Sequence, residues 1–597
     1  MKVSDYIIKR LEEHGVRDIF LLSGGGMMHL LDSLYQSETI QPYCNLHEQA
    51  SSICADAYAQ ATGDLAVCMV TSGPGATNAI TGAVNSYIDS EPVLVISGQA
   101  KTSDLVGDRG VRQCGSQEVN ISGMMACVTK YVVTIHDKTM VQYHLDKAIY
   151  LATHGRKGTT WVDVPLDIQG AQIEEHELVA FDPVAEGLVP GFSASDEDCN
   201  EILAMMRAAK RPLILLGKGI QADKMEAATR ALCARLQLPA LATWRAKMVF
   251  ADDDDLYFGH PGSPGPRYAN WILQTCDFLL IVGSRLNPGI TAFNEPHFAR
   301  KAKKVLVDID ANEIAKLNMP FAKTLVCDAA TFITRLSARA ADMPPLDTAA
   351  WLTYCRAAKA AYPLHNERQV APQTQTDMYR FGHALSVHSR ADDVIVSASS
   401  GRASVILGLG YARKQGQVQI GAMGLGSMGF TLPAAIGACI ACDKRRTITL
   451  DGDGSLQHNL QELALIRGYG LPIKLFIMSN NGYASIAMMQ ENHFKGRYAA
   501  CNTGSGVFCC DMRKLADLYD LAYHAIHDDS EIEQVLARVL ADDAPVLCEV
   551  FCDYTFDEIP KAISRINADG TLSSSVLEDL SPFLAKEETE KWLSIAE

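Results

Sequence analysis

Short apolar runs alternate with stretches of helical spacing along most of the chain. Near the N-terminus the apolar runs predict buried strands at 19–22, 68–71, 93–97 and 161–164. Runs at 213–216, 278–282 and 305–309 predict a second group, and runs at 394–397, 447–450 and 473–478 predict a third. Because strands that alternate with helices build parallel, helix-covered sheets, the predicted fold class is α/β with three consecutive domains.

Segments of different composition separate the three blocks. Gly, Pro and Ser mark a linker at 187–195, and Pro344-Pro345 with the polar stretch 366–377 marks a second one. The predicted domains are therefore 1–186, 196–343 and 378–556, followed by a C-terminal tail at 557–597. The tail departs from the α/β pattern. It is predicted either to close over an active site or to pack on the surface, and packing on the surface is slightly favoured.

Composition narrows the choice of partners and compartment. The 597 residues carry a formal net charge of −17, which argues against a nucleic-acid backbone or an anionic membrane as partner. We find no signal peptide and no apolar run of roughly 18 residues, as a membrane span would need. The 17 cysteines are scattered, which predicts reduced thiols and a cytoplasmic protein. The Cys439–Cys442 pair lies in a small-residue helix, where packing explains it better than metal or redox chemistry.

The stretch 447–483 combines two glycine-containing turns with oxygen-bearing side chains. A strand leads into Gly452-Asp453-Gly454, a helix follows at 461–468, and the next strand ends before Asn480. In an open parallel sheet both turns lie at the carboxyl ends of their strands, where ligands bind. Carboxylate and amide oxygens suit Mg²⁺, which usually takes its other ligands from phosphate and water, and a helix N-terminus after the first turn favours the same anion. These residues predict a Mg²⁺-bridged diphosphate.

Two further motifs lie upstream. His47-Glu48-Gln49 opens a helix of small residues that runs to about 61, and residues 71–78 read Thr-Ser-Gly-Pro-Gly-Ala-Thr-Asn at a strand-to-helix turn. Taken alone, a Glu at a helix start is most often a capping residue favoured by the helix dipole, and a glycine-rich turn is most often only a turn.

Together, these motifs resemble those of thiamine diphosphate (ThDP) enzymes, in particular the acetohydroxyacid (acetolactate) synthase-like group. The resemblance rests on the Gly-Asp-Gly turn, the paired Asn 27 residues after Asp453, and the two upstream motifs, and it covers about residues 1 to 555. It implies a pyrimidine-binding, a central and a diphosphate-binding domain. It also implies ThDP and Mg²⁺ as cofactors, with the metal held by Asp453, Asn480 and the backbone carbonyl of Gly482.

The resemblance also implies the roles of individual residues. Glu48 becomes the catalytic carboxylate that hydrogen-bonds the pyrimidine of ThDP, and Gln117 becomes a second catalytic candidate. Met428 becomes the apolar wedge that bends the cofactor, although a Met in an apolar stretch is more often core. Arg402 is either a diphosphate contact or a solvated charge. The predicted ThDP contacts are Pro74, Asn78, Gly401, Arg402, Gly426, Met428, Gly452, Asp453, Gly454, Ser455, Asn480, Gly482 and Tyr483.

The central block leaves a third cofactor open. Residues 283–287 read Gly-Ser-Arg-Leu-Asn where FAD-binding synthases often carry Arg-Phe-Asp-Asp-Arg, so only Arg285 matches. FAD is therefore an open alternative, with a structural role if it binds. The segment 217–219, Gly-Lys-Gly, is too short and common to define a dinucleotide site.

The resemblance implies decarboxylation of a 2-oxo acid, with pyruvate as donor, and carboligation of the activated aldehyde to a carbonyl acceptor. It also implies a homodimer or homotetramer with active sites at the subunit interface. Ser116 replaces the usual aromatic residue before the active-site Gln, and Met489 or Gln490 falls where acetohydroxyacid synthases carry a Trp. These departures leave the acceptor open between a second 2-oxo acid and a larger carbonyl compound.

Three alternatives remain at this stage. A simple 2-oxo acid decarboxylase usually carries adjacent active-site histidines, and this sequence has no His-His pair. An FAD-linked 2-oxo acid oxidase would be yellow and would consume O₂. A non-catalytic ThDP-fold subunit is disfavoured because Glu48, Asp453 and Asn480 are all present.

Overall fold

Parallel sheets follow one another along the chain. The computed structural model describes residues 1–189, 191, 193–363, 375–398, 401–553, 558–566, 569 and 572–596. Within these ranges lie three parallel sheets of six, five and six strands, and one two-stranded antiparallel sheet. The α/β class and the three consecutive helix-covered sheets are confirmed. The limits of the domains themselves stay predictions.

The first sheet has the strand order β2-β1-β3-β4-β6-β5. Its strands are β1 (Asp18–Leu21), β2 (Gln41–Cys44), β3 (Ala66–Val70), β4 (Val93–Gln99), β5 (Tyr131–Thr134) and β6 (Thr160–Pro165). The helices around it are α1 (Val3–Glu13), α2 (Met28–Gln36), α3 (Glu48–Thr62), α4 (Pro74–Asn78), α5 (Ile80–Asp89), α6 (Ile121–Met125), α7 (Val141–Thr153) and α8 (Leu166–Gly170). Strands β3, β4 and β6 are buried along their whole length, as expected for strands covered on both faces.

The central sheet has the order β11-β10-β9-β7-β8. Its strands are β7 (Pro212–Leu216), β8 (Ala240–Ala242), β9 (Phe278–Val282), β10 (Lys303–Asp308) and β11 (Lys323–Val326). Its helices are α9 (Asp196–Ala208), α10 (Lys218–Ala222), α11 (Glu226–Leu236), α12 (Arg267–Thr275), α13 (Pro288–Thr291), α14 (Ala311–Ala315), α15 (Ala329–Arg339) and α16 (Ala349–Ala361).

The third sheet, β13-β12-β14-β15-β17-β16, repeats the strand order of the first. Its strands are β12 (Val394–Val396), β13 (Val418–Ile420), β14 (Thr447–Gly452), β15 (Ile473–Ser479), β16 (Ala522–Ile526) and β17 (Val546–Phe551). Its helices are α17 (Met378–His388), α18 (Gly401–Leu409), α19 (Thr431–Ala441), α20 (Asp453–Leu456), α21 (Leu463–Tyr469), α22 (Ala484–Phe494), α23 (Met512–Leu518) and α24 (Ile532–Val539). The chain order thus reverses at equivalent places in both sheets, beside β1 and β3 and beside β12 and β14.

The tail packs against the central domain. It contains the hairpin β18 (Ser564–Ile566) and β19 (Leu572–Ser574) and the helix α25 (Lys586–Leu593). Leu577 and Trp592 belong to the central hydrophobic core, and the Trp592 ring stacks on Trp271 at a centroid distance of 5.7 Å. The Arg267 guanidinium donates hydrogen bonds to the carbonyls of Leu580 (2.8 Å) and Pro582 (2.6 Å). The tail is therefore part of the central core rather than a loosely attached surface segment.

We expect Trp592→Ala to destabilise the protein by about 3–5 kcal/mol, because truncating a buried Trp removes its packing and leaves a cavity. Urea unfolding followed by circular dichroism measures the change in the free energy of unfolding. Leu518→Ala is the matched control, since Leu518 is 72 % exposed and its truncation should cost no more than about 0.5 kcal/mol. Equal effects of the two substitutions would contradict the packing of the tail.

The described helices and cysteines bear on the predictions about a membrane span and about reduced thiols. No helix in the described ranges is long and apolar enough to span a bilayer. All 17 cysteines lie in those ranges and are free thiols, including Cys439 and Cys442.

Candidate active site

Glycine-rich turns lie side by side at the carboxyl edge of the first sheet. The segment after β1 contacts the turn after β3, where the Gly26 N–H donates to Thr71 Oγ1 at 3.1 Å. A Cβ on Gly24 would lie only 2.5 Å from Thr71 Cβ, and one on Gly26 would lie 2.5 Å from Ser72 Oγ. Only glycine fits at this close approach. The two turns sit where the strand order reverses, which is where open parallel sheets bind ligands.

Glu48 lies at the first position of α3, and its side chain is largely buried (8 % exposed). Asn78 Nδ2 donates to Glu48 Oε2 at 3.0 Å. Asn78 ends α4, which begins at Pro74, and a Cβ on Gly75 would lie 3.5 Å from Glu48 Oε1. The structure therefore brings Glu48 and Asn78 together beside the helix that begins at Pro74. Their roles toward a cofactor stay predictions.

Residues of the third domain hold the loop that leads into Glu48. The buried Glu462 accepts hydrogen bonds from Asn45 Nδ2 (3.0 Å) and from the Leu46 N–H (2.9 Å). Asn459 Nδ2 donates to Gln49 Oε1 at 3.0 Å. Sequence reasoning missed both anchors, which lie more than 400 residues from their partners. The available signal was a Glu in an otherwise apolar helical stretch just after the Gly-Asp-Gly turn.

Gln117 lies next to the turn that precedes Pro74. Its backbone adopts a φ of +57°, which is uncommon for a residue with a side chain. A Cβ on Gly73 would lie 2.6 Å from the Gln117 carbonyl oxygen, so the loop that carries Gln117 rests on the turn. The Gln117 side chain is exposed in the single chain.

The two turns of the third sheet converge on one carboxylate. Asp453 is 1 % exposed, and its Oδ2 accepts hydrogen bonds from the backbone N–H groups of Asn480 (3.0 Å) and Asn481 (2.6 Å). Its Oδ1 accepts from the Gly454 N–H at 2.8 Å. Asn480 Oδ1 is buried and has no hydrogen-bond partner among the described residues. A buried polar atom without a partner is costly, so this oxygen calls for a ligand.

The charge of Asp453 points to the same conclusion. Burial raises the pKa of the Asp453 carboxyl to about 6, although backbone N–H groups of Asn481, Asn480 and Gly454 hydrogen-bond to it and oppose the rise. No cationic side chain of the described residues is among the groups that lower this pKa. A buried carboxylate is stabilised by pairing with a cation. Carboxylate, amide oxygen and backbone carbonyl are hard donors that fit Mg²⁺.

Glycines allow the two turns to approach each other closely beside this carboxylate. A Cβ on Gly454 would lie 2.7 Å from the Tyr483 ring and 3.0 Å from the Gly482 carbonyl oxygen. Only a residue without a side chain allows this approach, which brings Gly482 O close to the Asp453 turn. The described residues contain no cluster of three His, Cys, Asp or Glu side chains suited to a metal. The mixed set of Asp453, Asn480 and Gly482 is therefore the candidate metal site.

One of the remaining predicted ThDP contacts, Ser455, ties this turn to a neighbouring segment. Ser455 Oγ accepts a hydrogen bond from the Gly429 N–H at 3.0 Å, which ties the turn after Gly452 to the segment that contains Gly426 and Met428. Met428 is 38 % exposed, so it is not a core residue of the single chain. Gly401 begins α18, and the side chain of Arg402 lies outside the described residues.

A cavity of about 540 Å³ lies at the carboxyl ends of β7, β9 and β10. Cationic side chains line it, among them Lys218, Arg245 and Arg285. Lys218 and Arg245 both form ion pairs with the buried Glu91. Arg285, the one residue that matches the FAD pattern, lies 3.7 Å from Asp89. The carboxylates of Asp308 and Glu313 line the same cavity, which also reaches Gly424 in the Gly424–Met428 turn. The carboxyl edge of a parallel sheet is where ligands bind.

The paired sheets and the two turn-based clusters define a ThDP-binding enzyme fold, and comparison with known families agrees. Residues 1–124 match the model for the thiamine pyrophosphate enzyme N-terminal TPP binding domain, residues 199–336 the central domain, and residues 400–550 the C-terminal TPP binding domain. The chain belongs to the thiamine pyrophosphate enzyme family. Its ThDP-binding domains imply ThDP as the cofactor.

Similar proteins cover nearly the whole chain. The acetolactate synthase large subunit of Parasynechococcus marenigrum is 31 % identical over 556 residues, which is 91 % of this chain and 86 % of the relative. The probable acetolactate synthase large subunit of Methanocaldococcus jannaschii is 30 % identical over 567 residues, 93 % and 92 % of the two chains. The acetolactate synthase large subunit of Cyanidium caldarium is 29 % identical over 556 residues, which is 91 % of this chain and 92 % of the relative. The resemblance to this synthase group is confirmed.

Proposed function

We propose that this protein decarboxylates a 2-oxo acid, with pyruvate as the donor, and ligates the activated aldehyde to a carbonyl acceptor, using ThDP and Mg²⁺. The observation that carries the proposal is the buried Asp453 carboxylate beside the unpartnered Asn480 Oδ1. This pair supplies the hard oxygen ligands that a metal–diphosphate site requires.

ThDP, when bound, would supply a nucleophilic carbon for the ketone of a 2-oxo acid and an electron sink for the loss of CO₂. Glu48, held by Asn78 Nδ2 at 3.0 Å, would accept or share the proton of the pyrimidine ring. Asp453, Asn480 and the Gly482 carbonyl would hold the metal that neutralises the diphosphate. Met428 would contact the apolar middle of the cofactor, and Gln117 would face the reacting carbonyl.

Carboligation rather than simple decarboxylation is supported by the similar proteins, which are named acetolactate synthases. The absence of an adjacent His pair in the sequence supports the same choice. The acceptor remains the open part of the proposal. Met489, on α22, is 43 % exposed, and Gln490 hydrogen-bonds both backbone groups of Ala499. These residues would shape the acceptor pocket in place of an aromatic side chain.

We further propose a homodimer or homotetramer whose subunits share each active site. Several large apolar side chains of the third domain are exposed in the single chain. Exposed apolar patches mark sites where proteins contact one another. They are Met423, Leu425, Met428, Ile486, Met489, Phe494 and Phe508. A second copy that covers them would also bring its own Glu48 to the metal site of this chain.

The first test is CO₂ release by the dialysed protein from a panel of 2-oxo acids, with and without ThDP and Mg²⁺. We expect release from pyruvate that needs both cofactors, and a product whose mass equals the donor plus the acceptor less CO₂. An aldehyde as the sole product would favour the simple decarboxylase. No release from any donor, together with no ThDP binding, would contradict the proposed function.

FAD in the central cavity is a second cofactor proposal, supported by the volume of that cavity, about 540 Å³, and by its place at the carboxyl ends of the central strands. The visible absorption spectrum of the same preparation tests it. A flavin spectrum without O₂ consumption would indicate a structural FAD. A flavin spectrum with pyruvate-dependent O₂ consumption would favour the 2-oxo acid oxidase instead.

A further inference from the structure

A buried carboxylate lies beneath the loop that carries Gln117. Asp163, on β6, is fully buried and accepts hydrogen bonds from Ser97 Oγ (2.6 Å), Gln99 Nε2 (3.0 Å) and Thr134 Oγ1 (3.0 Å). Burial raises the pKa of this carboxyl to about 6, against the lowering effect of the three hydrogen bonds. None of the roles described so far uses this group, although keeping it buried costs free energy.

Gln99 connects this carboxylate to the loop above it. Its Nε2 donates both to Asp163 Oδ2 and to the Val119 carbonyl, at 3.0 and 2.9 Å. Its Oε1 accepts from the Ala100 N–H at 3.0 Å. The side chain is 3 % exposed, so its amide is fixed in orientation. Gln99 therefore pins the backbone at Val119, two residues after Gln117.

Glu118 holds the preceding part of the loop together. The Glu118 carboxylate accepts hydrogen bonds from the backbone N–H groups of Val106, Cys114 (2.8 Å) and Gly115 (3.2 Å). Gln117 thus comes directly before Glu118, which gathers the loop, and Val119, which is pinned to the sheet. Its positive φ of +57° is unfavourable unless the surroundings hold it in place. The two fixed points supply that constraint.

We propose that Asp163, acting through Gln99, is a positioning residue that holds Gln117 against the turn before Pro74 and so toward the reacting carbonyl. Gln99 can donate to Val119 only while its amide nitrogen also faces the Asp163 carboxylate, which fixes the amide orientation. The proposal rests on the proposed function for the role of Gln117. The pin, which consists of the hydrogen bonds from Gln99 to Asp163 and to Val119, is independent of any reaction.

The structure allows matched variants. Gln99→Met keeps the length of the side chain and removes its three hydrogen bonds, and Asp163→Leu keeps a similar volume and removes the oxygen that accepts from Gln99 Nε2. Ser97→Ala is the control, because Ser97 donates to the same carboxylate at 2.6 Å and has no hydrogen bond to the loop among the described residues. All three remove buried hydrogen bonds, and only the first two disturb the pin.

Two measurements test the proposal. In hydrogen exchange on the ThDP-loaded protein, the amides of 106–119 should exchange faster in Gln99→Met and Asp163→Leu than in Ser97→Ala. In carboligation, kcat/KM should fall about 10- to 100-fold, as expected when a reacting group shifts by roughly 1 Å, with ThDP affinity unchanged. In a Gln117→Ala background Gln99→Met should add less than about a twofold effect, because coupled residues are non-additive.

Unchanged exchange at 106–119 in both pin variants would overturn the inference, whether or not the protein is active. A full Gln99→Met effect in the Gln117→Ala background would overturn it too, since the loss would then not pass through Gln117. A wild-type protein that releases no CO₂ from any 2-oxo acid would contradict the proposed function alone, and the exchange result would still decide whether the pin exists.

Discussion

Glu48→Gln is expected to slow turnover by about 10²–10⁴-fold while ThDP affinity changes little, as expected for the loss of a general acid–base partner. The carboxylate is largely buried and is oriented by Asn78 Nδ2 at 3.0 Å. Glutamine has nearly the same shape and can still accept that hydrogen bond through its amide oxygen. It cannot take up or release a proton, so the loss should appear in kcat rather than in binding.

Steady-state CO₂ release and calorimetric titration with ThDP separate the two effects. Glu226→Gln is the matched control, because Glu226 occupies the first position of α11 as Glu48 occupies that of α3. Both substitutions remove a negative charge from a helix N-terminus, which is worth about 0.3–1 kcal/mol of stability. Unchanged turnover in Glu48→Gln, or an equal loss in Glu226→Gln, would contradict the catalytic assignment of Glu48.

Asp453→Ala is expected to abolish Mg²⁺-dependent binding of ThDP, with a loss of affinity larger than the roughly 10–100-fold seen when a residue behind a metal ligand is changed. The substitution removes the only carboxylate of the candidate metal set. It also removes the acceptor for the backbone N–H groups of Asn480 and Asn481, so the Asn480 amide would lose its orientation toward the metal.

Calorimetry with ThDP, at saturating Mg²⁺ and with the metal chelated, measures the effect. Asp511→Asn is the control, since the Asp511 carboxylate also accepts a backbone hydrogen bond, from the Lys514 N–H at 3.0 Å, at the start of α23. Asp453→Asn keeps an acceptor for the turn and should still lose most of the affinity, because it lacks the charge. ThDP affinity that stays unaltered in Asp453→Ala would refute the metal site.

The predicted strands are all interior strands of their sheets, such as β3, β4 and β15, because residues buried on both faces form continuous apolar runs. The six edge strands of the three parallel sheets that the structure describes were missed. β2 (Gln41–Cys44) is half-exposed along its length and β16 starts at an exposed Ala522, so neither shows a continuous apolar run. The interior strand β17 was missed as well, although it is almost wholly buried.

The candidate site was predictable where local chemistry carries it. The Gly-Asp-Gly turn and Asn480 stand out through their spacing of 27 residues and the resemblance to ThDP enzymes, because a glycine-rich turn alone is most often only a turn. Glu462, Asn459 and Asp163 could not be predicted, since each acts through a partner far away in sequence. The depth of the tail's packing could not be predicted either, because nothing near Trp592 in the sequence reveals that it stacks on Trp271.

The first and third domains pack tightly against each other through α3 and α19. Helix α3, which begins at Glu48, crosses α19 so closely that a Cβ on Gly437 would lie 2.2 Å from the Cys54 carbonyl oxygen. Residues of the first and third domains, among them Ile53 and Ile436, therefore belong to one hydrophobic core, whereas the central domain has its own core. Parts of a chain that share one packed core unfold cooperatively. The two cofactor-binding domains should then melt together as one thermodynamic unit, although some 200 residues of another domain separate them in the chain.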